Sequence, residues 1–325
     1  MKSSIAFSVG AGRPAVARIG RAARRCLVLV LLTGALWGAP PWVPALGTHR
    51  DGISVMVLRP GRPAEKFSTG QATPGTNYRL ASVTKQMTAA AVLSLVDAGK
   101  LTLDGKLSEC WPEFPASITV RHLLTHQAGL VDYEEFLPPG TAQVRDGDVL
   151  AILRQHPEPK FAPGSRFAYS NSGYVLLAQM VEKISGRGFG RYLAETFFQP
   201  LQMDCVAHQE GVTTVKQRAY GQPKDQSRTS ATLGDGGVYC SLDGMEKWLI
   251  SRFALDERML QAGLGDYGMG WYVQPDRLWH TGTTTGFRNA VLVDRRTHTK
   301  VVVLANRSDV DALKVAAAVL GALRW

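Results

Sequence analysis

Cysteine, long apolar runs and several familiar catalytic motifs are scarce or missing in this chain of 325 residues. Four scattered cysteines without CxxC spacing argue against a dense disulfide scaffold and against a zinc site. After residue 45 no stretch approaches 18 consecutive apolar residues, so no later segment is predicted to span a membrane. The G-x-S-x-G elbow, the P-loop and G-x-G-x-x-G are absent, which argues against an α/β-hydrolase and against common nucleotide-binding folds.

Acidic residues are missing from the N-terminal region, and this explains most of the net charge of +10. Residues 1–45 contain six of the 37 basic residues and no acidic one, which leaves 31 basic and 27 acidic residues in 46–325. A net charge of +4 over that length is poor evidence for nucleic-acid binding. We therefore predict a small-molecule or peptide substrate and no nucleic-acid partner.

The first 45 residues have the pattern of an export signal. Arg24-Arg25 precede Cys26–Gly38, an apolar run that is too short to cross a bilayer comfortably but suits the core of a signal peptide. Val43-Pro44-Ala45 follows, so we expect cleavage after Ala45, whereas a cut after Ala39 is disfavoured by the proline behind it. Alternatives are an uncleaved membrane anchor and a twin-arginine signal. We predict an exported protein, periplasmic or secreted, associated with the cell envelope if the leader stays attached.

Strand patterns occur at both ends of the remaining chain and helical patterns occur between them. Apolar and β-branched runs predict strands at Ile53–Leu58, Lys66–Thr69, Gly270–Gln274, Leu278–Thr281, Ala290–Asp294 and Lys300–Ala305. Helical spacing predicts a helix from Ser82 onward and others at Val120–Thr125, Asp146–Arg154, Asn171–Ile184, Arg191–Phe198 and Ala312–Leu323. The predicted fold class is α+β, an antiparallel sheet flanked by helices with an inserted all-helical region.

This pattern divides residues 46–325 into two lobes. The sheet lobe comprises about 46–81 and 236–325, and the helical lobe about 82–235. A crevice between two such lobes is a common place for a ligand site.

Ser82-Val83-Thr84-Lys85 is the first candidate for chemistry. Residues at i and i+3 share a helix face, so the ammonium of Lys85 can lie beside the hydroxyl of Ser82. A serine hydroxyl is a weak nucleophile until a neighbour takes its proton, which a lysine of lowered pKa can do. Alone, the motif is weak, since a helix cap beside a surface lysine has the same pattern.

Two further motifs follow along the chain. Tyr169-Ser170-Asn171 places a phenol and an amide at the start of a predicted helix, where nearby cations could lower the pKa of Tyr169. His280-Thr281-Gly282 ends a predicted strand, and Gly282 permits a close approach of the backbone to a ligand. Taken singly, each is better explained as a helix cap or a strand-end turn.

Together, S-x-x-K, Y-x-N and H-T-G in this order resemble the serine penicillin-recognising superfamily, in particular its class C β-lactamase and DD-carboxypeptidase branch. Segments around the motifs extend the resemblance over roughly 50–325: His122–Leu130, Phe161–Gly164, Gly236–Tyr239 and Tyr267–Trp271. The resemblance implies a β-lactamase/transpeptidase-like fold and an acyl-serine mechanism that needs no cofactor and no metal.

The resemblance also implies a role for each matching residue. Ser82 would attack the carbonyl, and Lys85 and Tyr169 would share the proton transfers, with Tyr169 as the base and as the donor to the leaving group. The substrate would contact five residues: Asn171, His280, Thr281, Gly282 and Thr283. The backbone N–H groups of Ser82 and Thr283 would form the oxyanion hole. His280 would line the site and help to position Tyr169.

The chain departs from the resemblance at the third motif. Many β-lactamases have lysine where His280 stands, and a neutral imidazole supplies less positive charge for a substrate carboxylate. We therefore expect a DD-carboxypeptidase-like or esterase-like enzyme, with a class C-like β-lactamase or a non-catalytic penicillin-binding or wall-peptide-binding protein as alternatives.

Two other observations complete the sequence-based predictions. His122 and His126 have the i, i+4 spacing of zinc ligands, but Leu123 stands where H-E-x-x-H has glutamate, so we predict no metal. Cys110, Cys205 and Cys240 remain after loss of the leader, and any two of them could form a single disulfide. The spacing does not select the pair.

Overall fold

The computed structural model describes residues 39–46, 51–138 and 140–323. The predicted signal peptide up to residue 38 lies outside the described residues. None of the helices among the described residues is long and apolar enough to cross a bilayer.

Nine strands among the described residues form two antiparallel sheets, which bears out the predicted α+β class. In chain order they are β1 Ile53–Leu58, β2 Glu65–Ser68, β3 Tyr78–Arg79, β4 Val206–Ala207, β5 Val238–Cys240, β6 Tyr272–Val273, β7 Arg277–Thr284, β8 Phe287–Asp294 and β9 Lys300–Ala305. The large sheet has the order β2-β1-β9-β8-β7-β6, and the small sheet has the order β3-β5-β4. Strands from both ends of the domain thus share one sheet, because β1 pairs with β9 along its full length.

Eight α-helices accompany the sheets in the described part of the chain. They are α1 Lys85–Asp97, α2 Leu107–Cys110, α3 Val120–Leu124, α4 Asp146–Gln155, α5 Asn171–Ser185, α6 Phe189–Leu193, α7 Leu242–Ile250 and α8 Ala312–Ala322. Short 3₁₀ helices lie at Val43–Leu46, Ala81–Thr84, Tyr133–Phe136 and Leu264–Asp266, and a π-helical segment at Ala194–Phe198 continues α6.

Both faces of the large sheet are buried, and the alternation of side chains along its strands explains how. Val55 and Val57 of β1 pack in a cluster with α8, whereas Met56 between them belongs to the larger core shared with the helical region. The same alternation in β9 sends Val301 and Val303 to the α8 side and Val302 to the other. The sheet is therefore a layer between α8 and the rest of the molecule.

Helix α1 lies at the centre of the helical region and carries the first motif at its start. Ten of its thirteen residues are buried, and it packs against α5 and α6. A helix that is buried on all sides is apolar around its circumference, as the run of Ala89–Leu93 shows. Because the helix is enclosed, its first turn is held in a fixed position relative to the sheet.

The small sheet joins distant parts of the chain beside that turn. Tyr78 pairs with Cys240, and Arg79 pairs with Tyr239, so β5 fixes the segment that leads to Ser82. Cys240 forms a disulfide with Cys205, which precedes β4, and Cys110 is free. The structure thus selects one pair from the three that the sequence left open.

Residues 42–46 are part of the folded domain. Trp42 is fully buried against the α8 side of the sheet, and its indole N–H donates to Glu65 at 2.9 Å. The short helix Val43–Leu46 packs on α8. The predicted cleavage after Ala45 would therefore cut through a packed element.

Candidate active site

Ser82 sits on a tight turn between β3 and α1. The preceding residue, Ala81, is buried and has a φ of +48°, a left-handed conformation that costs a non-glycine residue about 1–3 kcal/mol. The turn is held from both sides, since the Leu80 N–H donates to the Val238 carbonyl and Asn289 Nδ2 donates to the Arg79 carbonyl, each at 2.8 Å. The surrounding sheets therefore impose the position of Ser82.

Lys85 is fully buried and directly contacts Ser82. Its Nζ donates to Ser82 Oγ at 3.0 Å, to Asn171 Oδ1 at 2.8 Å and to the backbone carbonyl of Asp235 at 2.8 Å. Burial lowers the pKa of Lys85 from its usual value to about 8, although the charges of Asp235 and Glu134 oppose the shift. A fraction of the lysine is therefore neutral near pH 7 and able to accept the Ser82 proton.

Tyr169 completes a contact triad around the serine. Lys85 Nζ lies 5.0 Å from the centre of the Tyr169 ring, and the Ser82 side chain lies near enough to the phenol to influence its pKa. Burial nevertheless raises the pKa of Tyr169 above its usual value. The sequence predicted that nearby cations would lower this pKa, but desolvation and the charge of Asp235 raise it, so the phenol suits a proton donor better than a base.

The ring of Tyr169 is supported by a buried histidine. His126 lies with its ring centre 4.1 Å from that of Tyr169, and its Nδ1 accepts a hydrogen bond from the Ser170 N–H at 3.1 Å. Burial and the charge of Lys85 lower the pKa of His126 well below its usual value, so the imidazole is neutral. The sequence analysis considered His126 as a zinc ligand and as part of the His122–Leu130 segment, and it missed this packing role.

His280 lies beneath the site and not on its wall. It is 1 % exposed; its Nδ1 contacts the Thr281 carbonyl at 2.7 Å, and its Nε2 contacts the Tyr267 hydroxyl at 2.9 Å. Since a carbonyl only accepts, Nδ1 carries the proton and the Tyr267 hydroxyl donates to Nε2. Burial lowers the pKa of His280 to about 3. The expected direct contact of this side chain with substrate does not fit its burial, and its ring centre is 6.3 Å from that of Tyr169.

The rest of the third motif fits the backbone geometry. Gly282 lies where β7 passes the Ser82 turn, and a Cβ at that position would overlap the carbonyl oxygen of Leu80. The glycine thus lets β7 approach the turn, with Thr281 on one side of it and exposed Thr283 on the other. Thr283 and Ser82 line the same cavity of about 290 Å³, as an oxyanion hole built from their N–H groups requires.

Two acidic residues that the sequence analysis did not select border the same cavity. Glu134 Oε1 accepts from Asn171 Nδ2 at 3.2 Å, and Asp235 lines the wall next to Ser82. Asn171 therefore bridges Lys85 and Glu134 through its two amide atoms. No local sequence motif could have identified Glu134. Asp235 directly precedes the Gly236–Tyr239 segment, and this position was a signal that could have identified it.

The remaining candidate metal ligands have other partners. His122 Nδ1 accepts from the Thr119 N–H at 3.3 Å and closes a capping box at the start of α3. Within the described residues one group has metal-like spacing, Asp204 with Cys205 and Cys240, and its two cysteines form the disulfide. A larger surface groove of about 680 Å³ contains none of the predicted site residues.

The arrangement of sheet, helical region and serine–lysine pair is that of the penicillin-recognising serine proteins. A family model described as "Beta-lactamase" matches residues 42–324, and the chain belongs to this family. The start of the match at residue 42 agrees with the burial of Trp42.

Similar proteins support the same class. Protein flp from Staphylococcus aureus (strain MRSA252) is 23 % identical over 303 residues, covering 79 % of this chain and 60 % of the relative. This chain thus spans about three fifths of that relative's length. A solved penicillin binding protein from Bacillus halodurans is 27 % identical with a TM-score of 0.70, covering 83 % of this chain and 95 % of that one. A solved D-amino acid amidase from Ochrobactrum anthropi SV3 shares the fold at 21 % identity, a TM-score of 0.72, and coverages of 84 % and 93 %.

Proposed function

We propose that this protein is an exported serine hydrolase that forms an acyl-serine intermediate on amide, β-lactam or ester carbonyls. The observation that carries the proposal is the contact between a buried lysine of lowered pKa and the hydroxyl of Ser82, at 3.0 Å. A hydroxyl that lies beside a partly neutral base meets the requirement for an activated nucleophile.

In the proposed reaction, Ser82 Oγ attacks the substrate carbonyl carbon while its proton passes to Lys85. The resulting oxyanion is stabilised by the N–H groups of Ser82 and Thr283, and the leaving group departs with a proton from Tyr169. The proton held by Lys85 then restores the phenol. A water molecule attacks the acyl-serine ester, which releases the acid and the free hydroxyl. Lys85 therefore replaces Tyr169 as the base in our proposal, because burial shifts the two pKa values in opposite directions.

Amide and ester substrates are favoured over β-lactams in this proposal. Class C-like β-lactam hydrolysis benefits from a cation on the third motif, and His280 is buried and neutral. Assays of nitrocefin, a D-Ala-D-Ala peptide and a p-nitrophenyl ester in parallel should rank nitrocefin last. Rapid nitrocefin turnover would support the β-lactamase alternative.

The decisive experiment is to label the protein with a fluorophosphonate and to locate the adduct by mass spectrometry. We expect the adduct on Ser82, no adduct in Ser82→Ala, and an unchanged adduct in the matched control Ser227→Ala, whose serine lines the same cavity. Hydrolysis that persists in Ser82→Ala contradicts the proposal. An acyl group from penicillin that stays on Ser82 without turnover indicates the non-catalytic binding protein instead.

Export is part of the proposal, and the burial of Trp42 predicts where the mature chain begins. Loss of Trp42 from its apolar site should cost about 3–5 kcal/mol of stability, so a cut after Ala45 would damage the domain. We expect the mature protein recovered from an exporting host to begin at or before residue 42. Of the two cleavage sites considered, only the one after Ala39 retains Trp42, although Pro40 follows it. The measurement is the intact mass of the mature chain. A mature chain beginning at Leu46, with the stability of the longer form, contradicts this expectation.

A further inference from the structure

The surface groove of about 680 Å³ lies outside the Ser82 cavity, and its volume is typical of a ligand cleft. Most of the polar groups that line it are uncharged. Among them are the exposed side-chain amides of Gln71, Gln217 and Gln222, which make no hydrogen bond with the described residues. Because an amide both donates and accepts, these side chains can pair with the hydroxyl groups of a ligand.

The charged residues of the groove have partners of opposite charge. Arg218 Nη2 lies 2.6 Å from Asp225 Oδ2, and Arg307 Nη2 lies 2.6 Å from Asp309 Oδ2. Asp51 lies near enough to Arg307 to contribute to the raised pKa of that guanidinium. An ion that enters the groove would meet charges of both signs, so the groove favours a neutral polar ligand.

Tyr220 adds an exposed aromatic ring to this polar lining. The side chain is 64 % exposed, and the guanidinium carbon of Arg218 lies 5.0 Å from the ring centre. The guanidinium thus occupies one face of the ring, and the exposure leaves the other face open. The backbone is held in place, since the Tyr220 carbonyl accepts from Asn306 Nδ2 at 2.8 Å. A fixed ring with an open, electron-rich face can stack against the C–H groups of a ligand.

A saccharide has the groups that such a groove recognises. One face of a sugar ring carries C–H groups, and hydroxyls that both donate and accept hydrogen bonds surround its edge. We propose that the groove binds a neutral saccharide, with a sugar ring stacked on the open face of Tyr220 and its hydroxyls paired with the amides of Gln71, Gln217 and Gln222. An apolar ligand would dehydrate these amides without pairing them, which is costly.

The groove and the Ser82 cavity are separate, although one segment of chain borders both. Arg218 and Tyr220 line the groove, whereas Ser227 and Thr229 line the cavity, and no residue lines the two together. A saccharide in the groove should therefore leave Ser82 accessible. The inference does not depend on the reaction proposed for that serine.

Binding to the unmodified protein is measured by saturation-transfer NMR titration with maltotriose, cellotriose and triacetylchitotriose. We expect at least one of these neutral trisaccharides to bind with a Kd of about 1 mM or lower. Tyr220→Ala should weaken that binding at least about tenfold. Tyr220→Phe should retain the affinity to within about twofold, because the ring and not the hydroxyl makes the contact. Gln71→Ala should weaken binding by about threefold, as expected for one lost hydrogen bond.

Phe136→Ala is the matched control for loss of an exposed aromatic ring. Phe136 is 37 % exposed, packs on the ring of His156 and does not line the groove. This variant should bind the trisaccharide as the unmodified protein does. Circular dichroism verifies that each variant is folded.

Two competition experiments test the place and the charge of the ligand. The bound trisaccharide should leave fluorophosphonate labelling of Ser82 unchanged, and inorganic phosphate should not displace it. Failure of all three trisaccharides to bind, or equal binding by the unmodified protein and Tyr220→Ala, would overturn the inference. So would protection of Ser82, which places the sugar in the cavity, or displacement by phosphate, which indicates an anion site. The titration involves no chemistry, so it can succeed even where Ser82 is not labelled.

Discussion

Lys85→Met is expected to lower kcat/KM by about 10³-fold at pH 7, within the range of about 10²–10⁴ typical of general acid–base groups. Methionine retains the length of the buried chain but cannot accept the proton of Ser82, with which Lys85 Nζ is in contact at 3.0 Å. The measurement is steady-state hydrolysis of the best ester or amide substrate, with circular dichroism to verify the fold. Lys183→Met is the matched control, because Lys183 lies on α5 against Trp111 and outside the cavity.

The pH profile of the unmodified enzyme tests the same role. A base must be neutral to act, and burial lowers the pKa of Lys85 to about 8, so kcat/KM should rise as the pH rises through 8 and then level off. Well below pH 8, kcat/KM should fall about tenfold for each unit by which the pH is lowered. This rising limb should be missing from the residual activity of Lys85→Met. A profile that is flat between pH 6 and about 9, or a variant that keeps the limb, would assign the base to another group.

Gly282→Ala is expected to lower both stability and activity. The added Cβ overlaps the Leu80 carbonyl oxygen, so β7 must move away from the turn that positions Ser82. Overpacking of this kind costs about 1–3 kcal/mol of unfolding free energy, and a displacement of Thr283 by about 1 Å can cost about 100-fold in rate. Thermal unfolding and kcat/KM measure the two effects.

Gly321→Ala is the control for that substitution. Gly321 lies near the end of α8, and a Cβ there would meet nothing within 4 Å. Alanine is the better helix former, so stability should stay equal or rise by up to about 1 kcal/mol. If Gly282→Ala behaves like this control in stability and in rate, the close approach of β7 to the Ser82 turn does not govern the site.

The longer elements could be predicted from the sequence because their periodicity is local. Ile53–Leu58 and Lys300–Ala305 have the bounds of β1 and β9, and the helix predicted at Asn171–Ile184 differs from α5 by one residue. Short strands such as β3 and β4 contain two residues each and show no period. They form because β5, far away in sequence, pairs with both of them.

Helix α7 was missed although a signal was present. Ser241 caps its first turn by accepting from the Gly244 N–H, and Leu242, Met245 and Leu249 fall at helical spacing. Patterning alone would have placed a helix here.

In the site, local spacing was enough to predict the contact between Ser82 and Lys85, but it was not enough to predict which residues surround them. An i, i+3 pair on a helix brings its two side chains together, as the structure shows. Whether His280 faces the cavity or the core depends on which side of β7 it occupies and on Tyr267, which lies 13 positions away. The proximity of Asp235 to Lys85 depends on folding across 150 positions, which no sequence period encodes.

The packing of residues 42–46 on α8 has a consequence for how the protein can be held. Both terminal segments of the described domain lie on the face of the large sheet that is turned away from α1. Trp42 and the end of α8 therefore both lie on that face. Immobilisation or anchoring by these ends should leave the mouth beside Ser82 open to bulky ligands.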